Sequence, residues 1–173
     1  MPLAISVTML FLGFSIGLCA SMPAASATDV SAWHKYSNDQ YSFELRYPPD
    51  YAVVYPRGQL EPPPLFRVWF KEASMVKSPI AEREPPQLAI EVYENASQQT
   101  LDAWLASSGM LRNLTQPFQQ TVDIGGVHGL RVRGMTMLAP DTFYYVARGP
   151  FIYRFTPLGR STEEILATVR FIH

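Results

Sequence analysis

The chain has 173 residues, 47% of them hydrophobic, and a formal net charge of −1. That size and composition suit one globular domain with one core and exclude a disordered chain. Near-neutral charge with mixed signs gives no electrostatic case for nucleic-acid binding.

The first 27 residues, "MPLAISVTMLFLGFSIGLCASMPAASA", carry no charged side chain. An apolar run from Leu3 to about Ala20 precedes Pro23 and the small residues Ala25-Ser26-Ala27. This is the pattern of a secretory signal, with cleavage expected between Ala27 and Thr28. The segment before the apolar run has no Lys or Arg. Its positive charge is therefore the α-amino group alone, or the true start lies upstream of Met1. A retained membrane anchor is the first rival reading, but Gly13, Gly17 and Pro23 interrupt the run. Lipidation of Cys19 is the second, against which stands the bulky Leu18 before it. The expectation is an exported protein, periplasmic or secreted, with one domain over residues 28–173 and no membrane attachment after signal removal. Cys19 is the only cysteine. The mature chain then has no thiol nucleophile, disulfide or cysteine metal ligand.

A short strand is expected near Trp33–Tyr36, then a turn at Asn38-Asp39. Residues 41–47 alternate, with Tyr41, Phe43, Leu45 and Tyr47 against Ser42, Glu44 and Arg46, as in a half-buried strand. Pro48-Pro49 stops the ladder because neither can donate a backbone hydrogen bond. Asp50 turns the chain into a strand at Tyr51–Tyr55. Residues 56–64 read as a surface loop, 65–71 as an aromatic-rich strand and 72–86 as a longer loop of charge and proline. Strand character returns over 87–94, with Leu88, Ile90 and Val92 on one side. A helix follows over 97–109, capped by Ser97 or Thr100, with Leu101, Trp104 and Leu105 as its apolar face and Gly109 ending it. After Pro117, residues 118–124, Gly125-Gly126 and 127–134 form a hairpin. Residues 142–149 and 151–158 form a second, across Gly149-Pro150. A last helix over 161–169 opens on Ser161 and Glu164 at capping-box spacing. Strands joined by tight turns imply an antiparallel sheet, with two amphipathic helices covering it in an α+β sandwich.

The stretch "YSFELRYPPDYAV" resembles the opening of the PsbP-like (Mog1/PsbP/DcrB-type) domains. Phe43, Tyr47 and Pro48 match that opening, while Tyr51 departs from it by standing where the family usually has Trp. The helix "TLDAWLAS", the hairpin "DIGGVHGLRVRG" and the ending "IYRFTPLGRSTEEILATVRFI" follow in the family's order. The resemblance spans nearly all of residues 33–172. It implies an antiparallel β-sheet flanked by helices on both faces, and a non-enzymatic binding or assembly domain.

The residues themselves offer no catalytic constellation. The three histidines, His34, His128 and His173, form no metal-binding motif. A zinc or copper site from His34 and His128 requires their strands to be neighbours. No Gly-x-Ser-x-Gly occurs, and Ser107-Ser108-Gly109 reads as a helix end. Glu44, Glu91 and Asp123 are the carboxylates available for paired acid–base work. A solvated sheet face explains Glu44 and Glu91 better. Gly125, Gly126 and Gly129 lie between strands and open no helix, which removes a nucleotide loop. Arg131, Arg133, Arg148 and Arg154 form either an anion-gripping patch or cross-strand pairs with Glu44 or Glu91, and pairing is the simpler reading. Asn95 and Asn113 head glycosylation sequons, meaningful only in a eukaryotic host.

The functional expectation is an exported, non-enzymatic domain that binds a protein partner in the cell envelope, with no catalytic, cofactor or metal residues assigned. A small-ligand or metal-binding protein is the alternative. A flat aromatic surface beside loops 56–64 and 72–86 favours a protein partner, and a buried convergent polar cluster favours a ligand.

Overall fold

The computed structural model describes residues 29–77, 84–135 and 141–172. The expected signal segment and His173 lie outside the described residues. The architecture is mostly antiparallel β-sheet with three short helices.

The single expected sheet is in fact two. Strands β1 (His34–Asn38) and β2 (Phe43–Tyr47) join β10 (Arg170–Phe171) in a three-stranded sheet of order β1-β2-β10. The larger sheet holds β3 (Tyr51–Val54), β4 (Phe66–Glu72), β5 (Leu88–Glu94), β6 (Thr115–Ile124), β7 (Val127–Met135), β8 (Thr142–Arg148) and β9 (Phe151–Pro157). Its order is β3-β4-β5-β9-β8-β7-β6, with every neighbouring pair antiparallel. Pro48-Pro49 is the hinge between the two sheets. The Tyr51 amide donates to the Pro48 carbonyl at 3.0 Å, and the chain passes from β2 in one sheet to β3 in the other. Tyr51 is then pinned through its hydroxyl, which donates to the Arg160 carbonyl at 3.1 Å. The chain end supplies β10, whose Arg170 and Phe171 pair with Glu44 and Phe43.

Each face of the large sheet has its own core. On the first face Val68, Phe70, Ile90, Val92, Val146 and Phe155 pack against Phe43 and Leu45 of the small sheet. Ile165 and Leu166 of helix α3 (Thr162–Ala167) belong to the same cluster. On the second face Tyr93, Val132, Tyr145 and Ile152 pack against Trp104 and Leu105 of helix α2 (Leu101–Ser108). Much of the cover on the first face is therefore a second sheet rather than a helix. Burying each large apolar side chain contributes ~1.5–3 kcal/mol relative to leaving it in water.

The local punctuation follows the expected chemistry in most places. The Thr100 hydroxyl accepts from the Ala103 amide at 3.3 Å, and Gly109 ends α2 with a left-handed φ of 76°. Gly125 and Gly126, at φ 62° and 76°, make the two-residue turn between β6 and β7. The capping box at α3 does not form. Ser161 is itself left-handed, at φ 56°, and its side chain caps nothing. Instead the Thr162 hydroxyl lies 2.9 Å from the Gly159 carbonyl and 3.1 Å from the Gln87 carbonyl, tying the helix start to β5. Strand β6 begins at Thr115, before Pro117, because it is the sheet edge and bulges between Thr115 and Phe118. A single helical turn, α1 (Ala73–Val76), opens the loop after β4.

Gly129 leaves no room for a side chain against β8. A β-carbon there would lie 2.4 Å from the Tyr145 carbonyl oxygen, which is backbone and cannot swing away. Gly129→Ala is expected to destabilise the protein by about 1–3 kcal/mol. Urea unfolding of the variant checks this, and an unchanged midpoint would contradict the packing.

Candidate functional site

Glu91 and Arg154 face each other across the β5–β9 pair, on the side of the sheet that α2 covers. Arg154 Nε donates to Glu91 Oε2 at 2.7 Å, with side-chain exposures of 16% and 5%. The expectation that Glu91 lies on a solvated sheet face is therefore corrected. Position 91 does alternate with the apolar residues of β5, but that second side is buried too. The Arg154 guanidinium is flanked by the rings of Tyr93 and Phe143, at 5.5 and 5.6 Å, and by Met110 Sδ at 3.3 Å. Burial alone lowers the Arg154 pKa, but the Glu91 carboxylate outweighs it and the net direction is up. The two groups are paired and enclosed, which makes the cluster a structural lock rather than an open acid–base site.

The remaining candidates do not converge. The four arginines form no shared patch: Arg133 is ion-paired to Asp141 at 3.5 Å, and Arg148 donates to the Ile172 carbonyl at 3.2 Å. Arg131 stacks over the Tyr144 ring at 5.8 Å on the first face, opposite to Arg154. Glu44 pairs with Lys35 at 2.6 Å, not with an arginine. Asp123 Oδ1 accepts from the Gly126 amide at 3.0 Å, a turn contact. His34 sits in the small sheet beside Tyr47, with ring centroids 5.6 Å apart. His128 lies on β7 of the large sheet, 3.9 Å from Asp123 and 90% exposed. Among the described residues no group of three or more His, Cys, Asp or Glu gathers into a metal site. The hydroxyls of Ser107 and Ser108 contact the carbonyls of Trp104 and Leu105, at 3.2 and 3.4 Å, as helix-end serines do. Asn95 is buried and bonded to Gln99 at both ends of its amide, so its sequon is closed in the folded state.

The surface beside the two long loops is different in kind. Of the six large hydrophobic side chains exposed among the described residues, Tyr55, Leu65, Met75 and Val76 flank or belong to loops 56–64 and 72–86. A groove of about 570 Å³ runs there, lined by Val54, Tyr55, Pro56, Trp69, Val76 and the cations Arg57 and Lys71. Its wall is fixed by the second face of β4, where Arg67, Trp69 and Lys71 alternate. Arg67 and Lys71 lie 5.6 and 5.5 Å from the Trp69 ring. Arg67 also donates to the Pro56 and Gly58 carbonyls, at 3.2 and 3.3 Å, and so holds loop 56–64 in place. Lys71 donates to the Glu84 carbonyl at 2.6 Å and anchors the other loop. The surface is mixed aliphatic and aromatic, not the flat aromatic one that would favour a protein partner most directly. Sequence reading located it only by the loops, since the outward half of an aromatic-rich strand cannot be told from its inward half.

Several tyrosines hold their protons tightly. Burial, the hydrogen bond to Glu163 and that carboxylate's charge push Tyr144 up to about 12. Burial pushes Tyr153 up to about 12 against the opposing charge of Arg148, while its hydroxyl donates to the Tyr41 carbonyl at 2.7 Å. Both pKa values are raised on folding, so the stability they contribute is whole below the unfolded value of 10.0. It is lost as pH rises from there toward about 12. Urea midpoints measured alongside tyrosinate absorbance are expected to fall across that window, with a shallower fall in Tyr144→Phe. For the buried pair, Arg154→Met alone is expected to cost about 3–5 kcal/mol by stranding Glu91, and Glu91→Leu added to it to restore most of that loss. Equal and additive losses in a double-mutant cycle would contradict the lock.

No family model matches the chain, and no curated protein does. Among solved structures the chain is similar to the solution structure of cyanobacterial PsbP (CyanoP) from Synechocystis sp. PCC 6803. The identity is 15%, the match covers 89% of this chain and 98% of that one, and the TM-score is 0.47.

Proposed function

We propose that the chain is an exported, non-catalytic domain of the PsbP-like kind, acting as a protein-binding or assembly module in the cell envelope. The observation that carries this reading is the clustering of Tyr55, Leu65, Met75 and Val76, exposed by 61, 49, 38 and 38%, around loops 56–64 and 72–86. Apolar side chains grouped beside long loops are the composition of a recognition surface, and scattered ones are not. The family reading rests on the sequence order that opens with Phe43, Tyr47 and Pro48. In it, α2 is the helix of one face and α3 that of the other, with the small sheet beside α3. Export rests on the pattern of residues 1–27, and no helix among the described residues is long and apolar enough to cross a membrane.

A tagged chain expressed in its native host, crosslinked in cells and purified, tests the reading by what is recovered with it. One reproducible envelope protein is expected, with N-terminal sequencing of the purified chain starting at Thr28. The double variant Tyr55→Ser/Val76→Asp is expected to lose that protein while keeping its fold. A well-folded wild type that recovers nothing, or a variant that recovers the same protein equally, contradicts the reading.

A further inference from the structure

A second cavity, of about 380 Å³, lies at the opposite side of the large sheet from the loop surface, between α3 and strands β6, β7 and β8. Arg131 and Tyr144 line it from the sheet, and Glu163 and Leu166 from the helix. Tyr144 donates its hydroxyl to Glu163 Oε1 at 2.6 Å, which fixes the carboxylate and leaves its other oxygen with acceptor capacity. The Arg131 guanidinium packs over the Tyr144 ring at 5.8 Å. Its Nε is buried and has no hydrogen-bond partner, and no carboxylate lies within ion-pair reach of Arg131 among the described residues.

That combination is unusual for a structural arginine. Arg154, on the other face, has its carboxylate; Arg148 and Arg67 have backbone carbonyls. Arg131 sits opposite Gln120 and Tyr144 in the strand register, which directs it into the cavity, yet the nearest acid of α3 is already held by Tyr144. The Nε itself is enclosed, so an incoming acceptor meets the guanidinium at its terminal nitrogens, which no carboxylate pairs among the described residues.

We infer that this cavity binds a small organic carboxylate bearing a neighbouring hydroxyl or amino group. The ligand's carboxylate sits on the Arg131 guanidinium, whose planar fork matches its two oxygens. The neighbouring hydroxyl or ammonium donates to Glu163. Val122 and Leu166 supply apolar wall for the carbon chain. The lining carries one cation, Arg131, and two acids, Glu163 and Asp123, which suits a zwitterion or a hydroxy acid better than a phosphate dianion. The volume is near the low end for small-molecule pockets and limits the ligand to roughly the size of an amino acid or a slightly larger acid. This inference does not rest on the protein-binding reading, since the two surfaces lie toward opposite edges of the sheet.

The test is a titration of isotope-labelled protein, purified from its host, followed by amide chemical shifts. The probes are L-lactate, propionate, glycine and L-serine, with L-serinamide and inorganic phosphate as controls. Saturable shifts at Arg131, Tyr144 and Glu163 are expected with lactate or serine, at a dissociation constant on the order of 1 mM or tighter. They are expected to be absent with serinamide. Arg131→Gln is expected to weaken binding by about tenfold or more. Glu163 is exposed at the helix surface. Glu163→Gln therefore keeps the fold and is expected to retain carboxylate binding while losing the preference for lactate over propionate. No saturable shift with any carboxylate, equal shifts with phosphate, or binding undiminished in Arg131→Gln overturns the inference. Should Arg131→Gln not fold, an unchanged lactate preference in Glu163→Gln overturns it instead.

Discussion

Strand β5 is buried at every position from Leu88 to Tyr93, because its two faces meet two different cores. A strand so placed cannot carry a charge without an answering one. Glu91 has its answer in Arg154, directly opposite on β9, and the rest of the arrangement is built around that contact. The guanidinium organises the rings of Tyr93 and Phe143 and the sulfur of Met110, and α2 lies over the same cluster through Trp104 and Leu105. Trp104 is itself tied down by its indole N–H, which donates to the Glu94 carbonyl at 3.1 Å. The helix that closes the second face is thus fixed to the strand that carries the buried charge. Such a pair adds little net stability over an apolar replacement, but it specifies register: sliding β9 by one residue would place Arg154 on the wrong face.

With the middle of the sheet committed to packing on both sides, the surfaces proposed for recognition lie at its margins. At the β3–β4 end, Arg67 and Lys71 each perform two tasks, bracketing Trp69 and holding a long loop by its carbonyls. The apolar side chains that project there do so from anchored segments, which lowers the entropy lost when a partner binds. At the other margin, polar groups of α3, β6, β7 and β8 line a cavity. The two margins differ in chemistry, one apolar with cations and the other an arginine with two carboxylates.

What the sequence disclosed and what it hid divide along the range of the interactions. The Pro48-Pro49 corner, the Gly125-Gly126 turn, and the Thr100 and Gly109 limits of α2 are local chemistry and were legible as such. The split into two sheets was not. It depends on β10, two residues long, pairing with β2 far away in the chain, and no periodicity fits in so short a segment. Ser161 and Glu164 had the spacing of a capping box, but the chain leaving β9 arrives with Ser161 left-handed, and Thr162 reaches back to Gln87 instead. Glu91 was misread because alternation tells two sides apart without telling which is wet. In the sequence Arg131 is one arginine among four, and only the tertiary partners of Arg133, Arg148 and Arg154 set it apart.

Amide hydrogen exchange tests the central constraint most directly. If the doubly covered β5–β9 pair is what the fold depends on, the amides of Ile90, Val92, Tyr153 and Phe155 exchange only through global unfolding. The edge strands β3 and β6 then open at lower free energy. Protection in β5 and β9 no greater than in β3 or β6 would contradict the account.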